Sequence, residues 1–96
     1  IKRMGYRIEL GEIEAAAGSI EKVKSAAALY DADAGRILVI YEGSIKDTDE
    51  VLQQTADKVP PYMRPDEVIR IKQMPYNANG KIDRVALKER YLHAEG

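Results

Sequence analysis

The chain contains no cysteine, no phenylalanine and no tryptophan. Without cysteine it can build no disulfide framework and no thiolate site, and the lack fits a reducing, cytoplasmic setting. Without Phe and Trp, the interior must be filled by Leu, Ile, Val, Ala and six Tyr. The single histidine, His93, stands near the end of the sequence, which leaves no basis for a Ser–His relay or a histidine metal site. No apolar run approaches the ~20 residues of a membrane-spanning helix, and no signal-peptide pattern opens the chain. Neither sign of charge prevails: 15 Lys and Arg face 16 Asp and Glu, for a formal net charge of −1. No overall field therefore draws the chain to nucleic acid or to an anionic membrane, and neither is expected as a partner.

What remains is the composition of one small folded domain. The 96 residues are 45% hydrophobic and 32% charged, too apolar for composition-driven disorder. A domain of this size buries about 60–68% of the surface its unfolded chain exposes. The first residue is Ile1 rather than Met, so the chain is expected to be cut from a longer polypeptide.

Hydrophobic patterning predicts an α+β fold: a small N-terminal two-stranded ribbon, then a three-stranded sheet flanked by about three helices. The ribbon folds about Gly5, within residues 1–10. A helix from Leu10 to about Gly18-Ser19 puts Leu10, Ile13, Ala17 and Ile20 on one face. Glu9, Glu12 and Glu14 load its start, where negative charge suits the helix dipole. Strands are predicted over Val23–Tyr30 and Arg36–Glu42, joined by a turn at Asp31–Gly35. Ile37, Leu38, Val39, Ile40 and Tyr41 are apolar on both faces, so the second strand is expected to be central and covered twice. Asp47 and Glu50 have capping-box spacing ahead of a helical stripe of Leu52, Thr55, Ala56 and Val59, which Pro60-Pro61 ends. Val68–Ile71 is a third strand. Met74–Lys81 is a loop with an Asn79-Gly80 turn signal. Asp83 is the predicted N-cap of a last helix to about Leu92, with Val85, Leu87, Tyr91 and Leu92 as its contacts.

Four clusters are candidates for chemistry. Asn79-Gly80-Lys81 places a compact cation on a tight turn, suited to phosphate or carboxylate oxygen, although the tripeptide alone favours a solvated surface lysine. A P-loop is excluded, because Pro75 and Ile82 stand where it needs Gly and Ser or Thr. Lys2, Arg3, Tyr6 and Arg7 around Gly5 form a basic ribbon able to meet an anion, although taken alone the cluster favours charges that keep an edge from aggregating. Glu9, Glu12 and Glu14 are read as dipole compensation rather than as acid–base or metal ligands. The proline-rich run Pro60-Pro61-Tyr62-Met63-Arg64-Pro65 is read as a stiff connector rather than a docking ligand. No metal site is expected.

The order and spacing of these segments resemble the C-terminal subdomain of the adenylate-forming (AMP-forming) ligase superfamily across essentially the whole chain. Residues 1–14, with Gly5 and Leu10-Gly11-Glu12-Ile13-Glu14, resemble the glycine-containing motif that follows the family's hinge. Val59-Pro60-Pro61-Tyr62-Met63-Arg64-Pro65 is similar to its Leu-Pro-x-Tyr-Met-x-Pro segment. Asn79-Gly80-Lys81-Ile82-Asp83-Arg84-Val85-Ala86-Leu87 is similar to the motif that carries its catalytic lysine. Leu10 in place of Pro, and Asn-Gly-Lys in place of Ser-Gly-Lys, are more similar to amino-acid-activating members than to coenzyme A ligases. Those members are adenylation domains of nonribosomal peptide synthetases and D-alanine–carrier protein ligases. Met4 and Ala78 depart from the family pattern, where Arg or His, and Pro, are common.

The resemblance implies that residues 1–96 are a single lid subdomain. An N-terminal domain, outside this chain, would bind ATP, Mg2+ and the acid, and a hinge residue, usually Asp, would precede Ile1. The lid would rotate between two half-reactions, adenylation of a carboxylic acid and transfer to the phosphopantetheine thiol of a carrier protein or to coenzyme A. Lys81 would be catalytic in the first, with Asn79 and Gly80 shaping its loop; Lys2, Gly5 and Arg7 would serve the second. The alternatives are the lid of an acyl-CoA ligase and a non-catalytic binding module of the same fold.

Overall fold

The computed structural model of the chain describes residues 1–3 and 5–92. Met4 and His93, both named above, lie outside the described residues. Strands β1 (Lys2–Arg3) and β2 (Tyr6–Arg7) pair antiparallel, with Lys2 opposite Arg7. Ile8 N–H donates to the Ile1 carbonyl at 2.7 Å and closes this ribbon. Helix α1 (Leu10–Gly18) follows. Strands β3 (Val23–Asp31), β4 (Arg36–Gly43) and β5 (Glu67–Ile71) form one sheet in the order β3-β4-β5. β3 and β4 are antiparallel, whereas β4 and β5 are parallel and are joined across helix α2 (Thr48–Asp57). Helix α3 (Arg84–Tyr91) comes last.

β4 is the predicted central strand, and Ile37 to Tyr41 are all buried. Its alternation divides the interior in two. On the first face Ile37, Val39 and Tyr41 meet Ala26, Ala28, Val68, and the inward residues of α1 and α2. On the second face Ile40 meets Ala27, Leu29, Ile71, Met74 and Leu87. Beyond a bulge between Val23 and Ser25 the register is regular: Ala28 lies opposite Val39 and Val39 opposite Val68, while Ala27 lies opposite Ile40 and Ile40 opposite Ile69. Ala26-Ala27-Ala28, a poor strand signal by propensity, thus supplies small side chains to both faces beside a nine-residue α1.

Three local expectations need correction. The buried positions of α2 are Val51, Thr55 and Ala56, with Leu52 and Val59 only partly covered; Val51 completes the inward face. Asp47 caps α2 by accepting from Asp49 and Glu50 N–H at 3.0 and 3.4 Å. The other half of the capping box does not form, because Glu50 accepts from Gln54 instead. Val85 is 67% exposed and is no core contact, since Leu87 carries the inward face of α3.

Gly43 is held by a close backbone approach. A Cβ there would lie 2.3 Å from the Lys22 carbonyl oxygen, which accepts from Ser44 N–H at 3.0 Å. Gly43→Ala should therefore destabilise the domain by about 1–3 kcal/mol, the cost of overpacking. Gly11→Ala, in open space within α1, should be neutral or stabilise by up to about 1 kcal/mol. Chemical denaturation of the two variants should separate them in sign.

Candidate functional site

The chain from Met74 to Asp83 forms a tight hairpin. Tyr76 and Ile82 make an isolated antiparallel bridge. Asn77 N–H donates to the Lys81 carbonyl at 2.8 Å, and Gly80 N–H donates to the Asn77 carbonyl at 3.0 Å. Between them runs a loop of Ala78, Asn79 and Gly80, in which Gly80 has φ +80°. This is the pattern of a three-residue hairpin loop whose last residue needs a left-handed backbone, hence glycine. The Asn77 carboxamide oxygen accepts from Asn79 N–H at 2.9 Å and from Lys81 N–H at 3.1 Å. One side chain thus satisfies two amides that a tight loop would leave open.

The hairpin stands on fixed supports. Met74 is buried on the second face of the sheet, and its N–H donates to Glu42 at 2.9 Å. Asp83 N–H donates to the Pro75 carbonyl at 2.9 Å. Asp83 also caps α3, as predicted, by accepting from Ala86 N–H at 3.0 Å. Arg84 then reaches across to Glu14 in a two-pronged pair, its Nη1 bonding Oε2 at 2.6 Å. The same Oε2 accepts from Ala28 N–H at 2.8 Å on edge strand β3. The hydrogen bonds that Arg84 donates to Glu14 raise its affinity for its proton against partial desolvation. Glu14 is therefore a tie between α1, β3 and α3 rather than dipole compensation; Glu12 is the acidic residue in the first turn of α1.

At the tip the Lys81 side chain is exposed. Among the described residues no carboxylate lies within ion-pair distance of it. A cation on a braced loop that is not paired internally is free to meet an external anion. The structure brings Asn79, Gly80 and Lys81 together in this one hairpin.

Lys2, Gly5 and Arg7 lie elsewhere, on the N-terminal ribbon. Gly5 has φ +82° and open space around it. Lys2 is exposed, whereas Arg7 pairs with Glu9 at 3.0 Å, so the ribbon is less basic than its sequence. The ribbon is seated on the proline-rich segment: the Tyr6 and Tyr62 rings stack with centroids 4.3 Å apart. Ile8, Tyr62 and Met63 pack on the first face of the sheet. The two candidate loops are thus anchored on opposite faces of one sheet.

Asn77, the Glu14–Arg84 tie and the Tyr6–Tyr62 stack were not singled out for these roles from sequence. Asn77 had a local signal, an Asn two residues before Asn79 and four before Lys81; the other two join residues distant in the chain. Among the described residues, no group of three or more His, Asp or Glu could hold a metal ion. No helix of the described residues is long and apolar enough to cross a membrane.

Asn77→Ala should speed hydrogen exchange of the Asn79 and Lys81 amides by about five- to tenfold, the equivalent of roughly 1 kcal/mol each. The Leu87 amide should be unchanged. A second outcome concerns Glu42, whose carboxyl the Met74 N–H, and then Lys24, hold below its ordinary value of about 4.5. Its stabilising contribution is present above that ordinary value and is lost as pH falls through the lowered one. The stability–pH curves of the wild type and Glu42→Gln should differ near neutrality and converge in acid, as read by denaturation at a series of pH values.

Comparison with known proteins places these features in context. The family of the AMP-binding enzyme C-terminal domain matches residues 12–81. A mycosubtilin synthase of Bacillus subtilis is 44% identical over 91 residues, covering 91% of this chain and 3% of that protein. Tyrocidine synthase 3 of Brevibacillus parabrevis is 36% identical over 92 residues, covering 91% of this chain and 1% of that protein. The chain thus spans only a few per cent of the length of such relatives. The solved structure of Klebsiella oxytoca NpsA in complex with 3-hydroxyanthranilyl-AMSN superposes with a TM-score of 0.85 at 26% identity, covering 97% of this chain and 19% of that one.

Proposed function

The chain belongs to the AMP-binding enzyme C-terminal domain family, and on that premise we propose that it is the mobile lid of an ATP-dependent ligase that adenylates an amino acid and passes it to a carrier-bound thiol. The observation that carries this reading is the exposed Lys81 ammonium, held on a braced hairpin with no internal ion-pair partner among the described residues. The identity to peptide synthases supports the amino-acid branch.

In the first half-reaction a carboxylate oxygen attacks the α-phosphorus of ATP. A bond forms between them, the bond to the bridging β-phosphate oxygen breaks, and pyrophosphate leaves. Negative charge gathers where the carboxylate meets the triphosphate. The Lys81 ammonium, delivered into a cleft built by the N-terminal part of the enzyme, bonds oxygens of both reactants and offsets that charge. The hairpin hydrogen bonds fix the loop before substrate arrives, so little reordering is needed at the moment of reaction. Asn79 and Gly80 shape the loop and need not touch substrate. Asp83, two residues after Lys81, is committed to its helix cap, and the Mg2+ that accompanies ATP would be held by the other domain.

In the second half-reaction the thiol sulfur of phosphopantetheine attacks the acyl carbon, AMP leaves, and a thioester forms. The lid then turns its other loop to the site. Gly5, open and without a side chain, lets the pantetheine arm pass beside the backbone. Lys2 and Arg7 border that passage. Anchorage of the two loops on opposite faces of the sheet supports such a division, because a rotation that presents one withdraws the other.

In the intact enzyme Lys81→Ala should lower ATP–pyrophosphate exchange by about 10²-fold or more, on the scale of a lost oxyanion donor. Thioester formation from a supplied acyl-adenylate should stay within a few-fold. Equal loss in both half-reactions would overturn the role of Lys81. The 96-residue chain alone should show no exchange, since the acid and nucleotide pockets lie outside it. Comparing a phosphopantetheinylated carrier with coenzyme A as acceptor tests the acyl-CoA ligase alternative.

A further inference from the structure

We propose that the cleft where β3 begins and β4 and β5 end is a docking site for a protein surface bearing clustered carboxylates. This inference is independent of the reading given for Lys81 and Gly5. The cleft has a volume of about 460 Å³ and is lined by Lys22, Lys24, Arg70 and Lys72, with Glu42 and Gly43 at its floor. Four cations converge there although the whole chain carries a net charge of −1. The one carboxylate is already committed: Glu42 accepts from Met74 N–H and pairs with Lys24 at 3.3 Å, which leaves Lys22, Arg70 and Lys72 as the uncompensated cations. Arg70 is steadied by donating its Nε–H to the Gly43 carbonyl at 3.0 Å, and it is exposed, as are Lys22 and Lys72.

Lys22 adds a second observation. Its φ is +77°, and it is the one non-glycine residue with a positive φ among those described. That backbone costs a side-chain-bearing residue on the order of 1 kcal/mol. Glycine would remove the cost, yet an exposed lysine stands here and lines the cleft. Strain of this kind, tied to a charged group on an open surface, points to a binding role.

The chemistry selects the occupant. The Ser44 N–H is engaged by the Lys22 carbonyl, and the remaining cations sit on exposed, flexible stems. Such a ledge suits a broad array of carboxylates better than one small phosphate, which needs fixed donors around it. On the adjoining side Lys22 also borders a groove where Glu21, Asp47 and Glu50 outnumber Lys46. Those carboxylates repel a long polyanion such as nucleic acid, while a bounded acidic patch can seat on the lysine side alone.

The test is an amide-resolved NMR titration of the full chain with a helical peptide bearing glutamates along one face. Parallel titrations use inorganic pyrophosphate and single-stranded DNA. Saturable shifts are expected at residues 22–24, 42–44 and 70–72, weakening as salt rises. The double variant K22E/K72E should bind about tenfold or more weakly. Lys22→Gly separates charge from backbone: it should raise the melting temperature by relieving the positive φ, and still bind the peptide several-fold more weakly. Absent or scattered shifts, an unchanged affinity in these variants, or a stronger response to pyrophosphate or DNA than to the peptide would each overturn the proposal.

Discussion

Strand β4 is buried along both of its faces, so it must be covered twice, and the rest of the domain is arranged to do so. α1 and α2 close the first face; α3, with Met74 and Ile82, closes the second. Each covering segment brings one candidate loop with it. The ribbon around Gly5 leads through Ile8 into α1, and the Lys81 hairpin lies between Met74 and α3. Two-sided burial of a single strand therefore anchors the two loops on different faces.

The small core leaves much of the positioning to a few polar groups that satisfy backbone amides. Glu14 serves Ala28 N–H and the guanidinium of Arg84 together, which ties the start of α3 to α1 and blunts the open edge of β3. Glu42 holds Met74 N–H at the base of the hairpin, and Asn77 holds two amides inside it. Tyr41 is handled in the same way: its ring is buried, its hydroxyl donates to the Ile45 carbonyl, and burial raises its affinity for its proton. The lysine beside the hairpin loop is thus carried by a frame in which Glu14, Glu42, Asn77 and Asp83 are committed to backbone amides, which leaves its own charge available.

Much of this was legible in the chain. The two-faced apolar run at Ile37–Tyr41 could only be an inner strand, and it is. Asp47 and Asp83 sit where caps are expected, and both cap. The ordered motifs pointed to the family of the AMP-binding enzyme C-terminal domain, which matches residues 12–81. The misses have local causes. Val51 lies four residues before Thr55 and shares its inward face, while Val85 lies two residues before Leu87 and falls on the other side of α3, so closer attention to helical spacing separates the two. Glu14 read as dipole compensation because the helix start was visible, whereas the guanidinium seventy residues on was not.

Local pattern was enough for the elements, their order and the identity of the exposed lysine, because periodicity, caps and turn residues act over a few positions along the chain. Folding in three dimensions was needed to assign each loop its face, to pair Glu14 with Arg84 and to rest Tyr6 on Tyr62. It also gathered Lys22, Lys24, Arg70 and Lys72 at one end of the sheet. Those outcomes depend on strand order and register, which bring residues far apart in sequence within a few ångströms of one another and which no local pattern encodes.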